Sequence, residues 1–200
     1  MRKMQIKLTF VEPVLGTGNS NPEIHSEFIA SKAPDAKSRE EEVAALGADV
    51  VEEKTTTIFA RDDQGRPIIW NYQIKGFFKD TCSALRSVPG SESKKIKAFK
   101  KIIDGNIFVE ERKIPLQGFG RIGECQRPLR ASTAQGERIA LAHSETVPAE
   151  TYIVFTITCT EHDKYDLMAA VKEWLDYGKR RGLLQWRNSG KGTFVWNEVA

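Results

Sequence analysis

The segment TYIVFTITC, residues 151–159, places Ile153, Phe155, Ile157 and Cys159 on one face of an extended chain and Thr156 and Thr158 on the other. A period of two is typical of a strand with one buried face. The residues that follow predict a helix that is capped by Thr160 and Asp163 and continues to about Tyr177, where Gly178 is the stop signal. This part of the chain is therefore expected to pair a buried strand with an amphipathic helix.

The other predicted elements lie on either side of this unit. They are a strand over 4–10, a hairpin of 55–59 with 67–70, a helix over about 77–87, an extended segment over 106–116, a long loop over 117–137 and a strand over 193–196. Strands arranged around two helices favour an α+β fold, with both helices on one face of an antiparallel sheet. The ferredoxin-like (RRM-like) βαββαβ arrangement is the simplest fold of this kind.

Length and composition are those of one globular domain over residues 1–200, with 40% hydrophobic and 28% charged residues. No apolar run reaches the roughly 18 residues that span a bilayer. The first residues lack the apolar core of a signal peptide, so we expect a cytoplasmic protein without membrane contact. Three widely spaced cysteines, Cys82, Cys125 and Cys159, argue against a disulfide framework and against a metal site. No cofactor is expected.

Charge is distributed unevenly along the chain. Residues 18–62 carry ten acidic and five basic side chains, whereas residues 73–101 carry eight basic and two acidic ones. Residues 177–200 are again basic. We interpret the acidic part, 18–54, as a helical insertion after the first strand. The basic segments could follow a phosphate backbone, and ordinary solvated faces are the alternative.

A glycine-rich segment near the C-terminus is the first candidate binding site. Glycines allow close backbone approach, exposed amides and cations can hold phosphates, and a tryptophan can stack on a base. The candidate residues are Gly182, Trp186, Arg187, Asn188, Ser189, Gly190 and Lys191. A structural loop with Trp186 packed inside is the alternative.

The helix predicted over 77–87 is the second candidate. Lys75, Lys79 and Arg86 could contact a phosphate backbone, and Gly76 permits tight packing at the start of the helix. The alternative is a core helix with a charged outer face.

Candidates for catalysis are few. A metal-independent ribonuclease needs a general acid or base with a cationic stabiliser. His143, beside Ser144 and Glu145, is the best placed histidine, followed by His25. No spacing links either to a partner, so a protein without catalytic activity is favoured.

Three blocks of sequence, in order, carry a resemblance to a known family. They are DQGRPII (63–69) with YQIKG (72–76) and Leu85-Arg86, then Arg138 and ETVPA (145–149) with the strand at 151–159, and the loop over 182–192. The chain resembles the RAMP superfamily (repeat-associated mysterious proteins), which supplies RNA-binding backbone subunits and ribonucleases to CRISPR systems. Ile74 stands where that family usually has Ser or Thr.

The resemblance implies an RRM-like fold and binding of RNA or another single-stranded nucleic acid through Lys75, Arg86 and the 182–192 loop. It also implies assembly with further copies or with a protein partner in a defence complex, and a stand-alone phage or prophage role is consistent with the chain's size. Two alternatives stay open. One is a protein-interaction inhibitor that mimics a CRISPR backbone subunit, and the other is a metal-independent endoribonuclease.

Overall fold

The computed structural model describes residues 1–19, 56–133 and 136–199, which contain twelve strands and four α-helices. In chain order these elements are β1 (Arg2–Phe10), β2 (Val14–Leu15), β3 (Gly18–Asn19), β4 (Thr57–Ile58), β5 (Ala60–Arg61), β6 (Pro67–Trp70), α1 (Asn71–Leu85), α2 (Glu92–Lys95), α3 (Phe99–Asn106), β7 (Ile107–Val109), β8 (Lys113–Pro115), β9 (Gly123–Thr133), β10 (Gly136–Val147), β11 (Tyr152–Cys159), α4 (Leu167–Arg181) and β12 (Phe194–Glu198). The predicted α+β class is confirmed.

A four-stranded antiparallel sheet in the order β12-β1-β11-β7 forms the centre of the molecule. Strand β1 lies between β12 and β11, and its residue Ile6 pairs with Phe155. The alternation predicted for both strands is present, because every second side chain is buried. Burying one such side chain contributes about 1.5–3 kcal/mol, so a one-residue slip of register would expose the whole apolar face.

Helices α1 and α4 pack against each other and cover the buried face of the sheet. The rings of Phe78 in α1 and Trp174 in α4 lie 5.5 Å apart, and Trp174 is fully buried. The indole Nε1 of Trp174 donates a hydrogen bond to the Ser93 hydroxyl at 2.9 Å, so its one polar atom is satisfied inside the core.

Helix α4 differs from its prediction at both ends. Asp166, rather than Thr160 or Asp163, caps the start, because its carboxylate accepts from the Ala169 backbone amide at 3.0 Å. Gly178 does not stop the helix. A Cβ at this position would lie 2.1 Å from the Phe194 ring, so glycine is required there for packing against β12. The helix ends at Gly182, which has a φ of 69°.

The prediction of a long loop over 117–137 is wrong. Strand β9 fills most of it and pairs with β10 from Gly123 opposite Thr146 to Thr133 opposite Gly136. Side chains on both faces of the described part of β9 are polar, small or partly exposed. Because no side chain from Gly123 to Pro128 is buried, this part of the strand has no apolar alternation that would reveal it.

Three smaller predictions are corrected. Helix α1 begins at residue 71 rather than 77, because Gln73 accepts a hydrogen bond from the Trp70 amide at 2.8 Å and closes the first turn. The described part of the predicted 55–59 strand does not pair with 67–70: β4 pairs with β3 and β10, and the hairpin partner of β6 is β5, which follows residue 59. The lysine-rich 94–101 stretch contains parts of α2 and α3. Of the 18–54 insertion, only β3 lies within the described residues.

None of the helices in the described ranges is long and apolar enough to cross a membrane. Those same ranges contain no group of three or more His, Cys, Asp or Glu side chains placed to hold a metal ion.

Candidate nucleic-acid interface

A cleft of about 460 Å³ opens between the start of α1 and the glycine-rich loop. Helix α1, strands β3 to β6 and the loop all contribute to its walls. The lining residues are Thr17, Gly18, Thr57, Phe59, Ala60, Ile68, Trp70, Tyr72, Gln73 and Leu184. The cleft therefore joins two of the segments that carried the resemblance.

Two aromatic rings form one wall of this cleft. Trp70 ends β6 and Tyr72 lies in the first turn of α1, so the change from strand to helix brings both rings to the same side. The rings are nearly parallel, with an interplanar angle of 14° and centroids 6.1 Å apart. The Arg112 guanidinium lies 5.6 Å from the Trp70 ring, within cation–π range. Tyr72 is 58% exposed, so much of its ring is open to a ligand.

The polar side chains of Thr17, Thr57 and Gln73 also line the cleft and form its polar wall. The Gln73 amide Nε2 donates to the Thr17 hydroxyl at 2.8 Å. The Thr57 hydroxyl lies 2.7 Å from the Ser144 hydroxyl and accepts from the Gln185 amide at 2.7 Å. Because Gln185 belongs to the glycine-rich loop, this network fixes the loop to strands β4 and β10.

The glycine-rich loop, residues 182–192, is closed at its base by two glycines. The Leu183 amide donates to the Gly192 carbonyl at 2.8 Å. A Cβ on Gly182 would lie 2.6 Å from the Lys191 carbonyl, and one on Gly192 would lie 2.2 Å from the Leu183 carbonyl. Both glycines also have positive φ, so their function in this fold is to close the loop. At Gly190, by contrast, an added Cβ would meet nothing within 4 Å.

The cations of this loop are engaged inside the molecule. The Arg187 Nη1 and Arg181 Nε atoms each lie 2.7 Å from the same Asp80 carboxylate oxygen. The hydrogen bond from Arg181, with the nearby charge of Arg187, holds the pKa of Asp80 below its ordinary value. Lys191 Nζ lies 3.5 Å from Glu12.

Trp186 is partly buried beneath another cation. The Arg127 guanidinium lies 4.9 Å from the Trp186 ring centroid and also donates to Gln185 at 2.9 Å. Asn188 and Ser189 are exposed. The part of the loop that is open to a ligand is therefore centred on 188–190.

The three predicted cations of α1 follow one helix face, which packs along α3. Lys79 Nζ lies 2.6 Å from the Asp104 carboxylate, and Lys75 donates to the Asp104 carbonyl at 3.1 Å. The Arg86 guanidinium lies 5.3 Å from the Phe99 ring. Partial burial lowers the pKa of Lys75. Lys75 and Lys79 lie within two turns of Tyr72, whereas Arg86 is at the far end of the helix.

Gly76 has no packing partner, in contrast to the tight packing that its position predicted. It is exposed within α1, and a Cβ added there would meet nothing within 4 Å. Tyr72 precedes it by four residues, so the two share a helix face. The helix surface beside Tyr72 is therefore open at Gly76.

Sequence reasoning located α1 and the loop but not the cleft between them. Trp70, Gln73, Thr17 and Arg127 were not predicted as site residues. The aromatic pair on either side of Asn71 was the one available signal, because aromatic rings are the groups on which the bases of a single strand stack.

His143 is buried, with 7% of its surface exposed. Its neighbours on β10 have structural hydrogen bonds: Ser144 with Thr57, and Glu145 with the Phe59 amide at 2.8 Å and the Arg61 guanidinium at 2.5 Å. His25 lies outside the described residues.

No protein-family model and no curated protein matches the sequence. Among solved structures, a chain of a complex titled "Cryo-EM structure of the Type III-B Cmr-beta bound to cognate target RNA" is similar over all of this chain and 60% of its own length, with 11% identity and a TM-score of 0.54. The fold is therefore similar to that of a chain of this Type III-B complex. This chain spans about three fifths of that subunit, and the resemblance seen in the sequence blocks is confirmed at the level of fold.

Two further solved structures are matched over the whole of this chain. A chain of a "Type IV-B CRISPR Complex" has 11% identity and a TM-score of 0.49 over 91% of its length. A "Crystal structure of oligomeric Cmr4 from Pyrococcus furiosus" has 12% identity and a TM-score of 0.48 over 100% of its length.

Proposed function

We propose that this RAMP-like protein binds RNA or another single-stranded nucleic acid without cleaving it. The single observation that carries the proposal is the open cleft between Tyr72 and Leu184, from which the exposed Gly76 surface leads along α1 beside Lys75 and Lys79. Aromatic rings beside cations on an unobstructed helix face are the combination that binds bases and phosphates of a single strand. The exposed 188–190 part of the glycine-rich loop is the second contact region.

We also infer that the central sheet and its helices form a ferredoxin-like unit. Two observations support this inference. One is the chain order β1, α1, β7, β11, α4, β12, and the other is the spatial order of the strands, β12-β1-β11-β7. In such a unit α1 connects strands β1 and β7, and the glycine-rich loop precedes the last strand.

The test compares two variants that lose the same charge. In Lys75→Ala/Lys79→Ala the cations beside the cleft are removed, and in Lys94→Ala/Lys97→Ala two exposed lysines of the α2 region are removed. Binding of a labelled single-stranded 12-nucleotide RNA is measured by fluorescence anisotropy over a salt series. On a single strand, each lost phosphate contact reduces the salt slope of log K by about 0.7. We expect a reduction of about 1.4 for the two lysines of the α1 variant and no change in the control.

An equal reduction of the salt slope in the two variants would show that the strand does not bind beside Lys75 and Lys79. Absence of RNA binding by the unmodified protein would refute the proposal. Incubation of the same RNA with the protein in EDTA tests the ribonuclease alternative, which requires that the RNA is cleaved. The burial of His143 and the hydrogen bonds of Ser144 and Glu145 favour binding without catalysis.

Four expectations remain predictions: an inhibitor that mimics a backbone subunit, self-assembly, a phage role and a cytoplasmic location.

A further inference from the structure

We infer that the cleft holds one unstacked nucleobase of the bound strand, with the Tyr72 ring as its stacking platform. This inference depends on the proposed function and adds the chemical group that the cleft receives. Tyr72 is stacked against Trp70 and yet is 58% exposed, and Arg112 supports the pair through the Trp70 ring. The platform is therefore held in place before any ligand arrives.

The polar wall has unused hydrogen-bonding capacity of the kind that a base edge needs. Gln73 Oε1 accepts from the Trp70 amide and Gln73 Nε2 donates to Thr17. A side-chain amide has a second acceptor lone pair and a second N–H, so one of each remains for a ligand among the contacts of the described residues. A base edge presents a donor beside an acceptor and can use both.

An apolar occupant fits this cleft poorly. A lipid chain or an aliphatic side chain would pack on the rings but would remove water from Gln73 and Thr17 without replacing their hydrogen bonds. The cleft volume of about 460 Å³ falls within the roughly 300–1,000 Å³ of small-ligand sites. It therefore accommodates a base with its sugar, while the phosphates lie towards Lys75 and Lys79.

The experiment compares a 12-nucleotide single strand that carries bases with an abasic strand of the same length, which keeps the sugar and phosphate backbone. Three proteins are tested: the unmodified chain, Tyr72→Phe, which keeps the aromatic ring, and Tyr72→Leu, which keeps apolar bulk without a π-face. Because Tyr72 is exposed, both variants are expected to fold, and circular dichroism checks this. Loss of a base–aromatic stack corresponds to roughly a tenfold weaker Kd.

We expect the unmodified chain and Tyr72→Phe to prefer the base-bearing strand about tenfold, and Tyr72→Leu to bind both strands alike. Equal binding of both strands by the unmodified chain would overturn the inference and leave strand binding intact. A preference that persists in Tyr72→Leu would overturn the assignment to this cleft. Absence of binding to either strand would overturn the proposed function as well.

Discussion

At the scale of single residues, some glycines in the described part of the chain are required by packing, whereas others, such as Gly76, are not. Gly178 and Gly192 lie where a Cβ would come within about 2 Å of other atoms. Gly76 lies in the interior of α1, where a Cβ meets nothing. A glycine within a helix costs about 1 kcal/mol of stability relative to alanine. Close approach of a ligand backbone is the physical reason that would favour glycine at this position.

The variant Gly76→Ala is therefore expected to move stability and binding in opposite directions. Unfolding in urea should show a gain of about 0.5–1 kcal/mol, whereas anisotropy with the single-stranded RNA should show weaker binding. Gly105→Ala is the matched control, because Gly105 lies near the end of α3 with the same open surroundings. The control should gain stability without losing affinity. Unchanged binding in Gly76→Ala would mean that no ligand approaches this face closely.

At the scale of elements, Asp80 connects α1 with both α4 and the glycine-rich loop. Its carboxylate accepts from Arg181 at 2.7 and 3.1 Å and from Arg187 at 2.7 Å. A carboxylate shared by two guanidinium groups holds three segments in one arrangement. The predicted phosphate contact of Arg187 therefore competes with a structural ion pair.

Replacing Asp80 by Asn should reduce the free energy of unfolding by about 1 kcal/mol at pH 7, since these pairs are partly exposed. The pKa of Asp80 is held below its ordinary value in the folded state, so its stabilising contribution is complete above about pH 4. The contribution is lost as pH falls through the lowered pKa. The difference between Asp80→Asn and the unmodified chain should accordingly shrink in acid. Asp163→Asn, at an exposed carboxylate, is the control in urea unfolding at pH 7 and pH 3.

Elements with one buried face were predictable, and elements without one were not. The alternation in β1 and β11 is imposed by the core, so it is visible in the sequence. Strand β9 has polar side chains such as Glu124 and Gln126 exposed on one face, and its pairing is made by backbone hydrogen bonds that leave no sequence pattern. The same reason applies to the cleft. Its polar wall is formed by Thr17, Thr57 and Gln73, which are distant in sequence and meet only in the fold.

At the scale of the whole molecule, the acidic 18–54 segment is connected to the described fold by two paired strands. Strand β3 pairs with β4 so that Asn19 lies opposite Thr57. Asn19 and Thr57, which lie on either side of residues 20–56 in the sequence, are therefore neighbours in the fold. Residues 21–54 carry nine acidic and four basic side chains, so removing them would raise the net charge from +3 to +8.

We therefore predict that replacing residues 21–54 by Asn-Gly leaves a folded protein that binds single-stranded RNA more tightly at low salt. The resulting five-residue connection between Asn19 and Thr57 is within the usual length of a hairpin loop. Removing net negative charge strengthens the long-range attraction of a polyanion, and salt screens this effect. Urea unfolding and anisotropy at 50 and 300 mM salt measure the two properties. Loss of folding would show that the segment is part of the core, and weaker binding by a folded variant would show that the segment contacts the RNA.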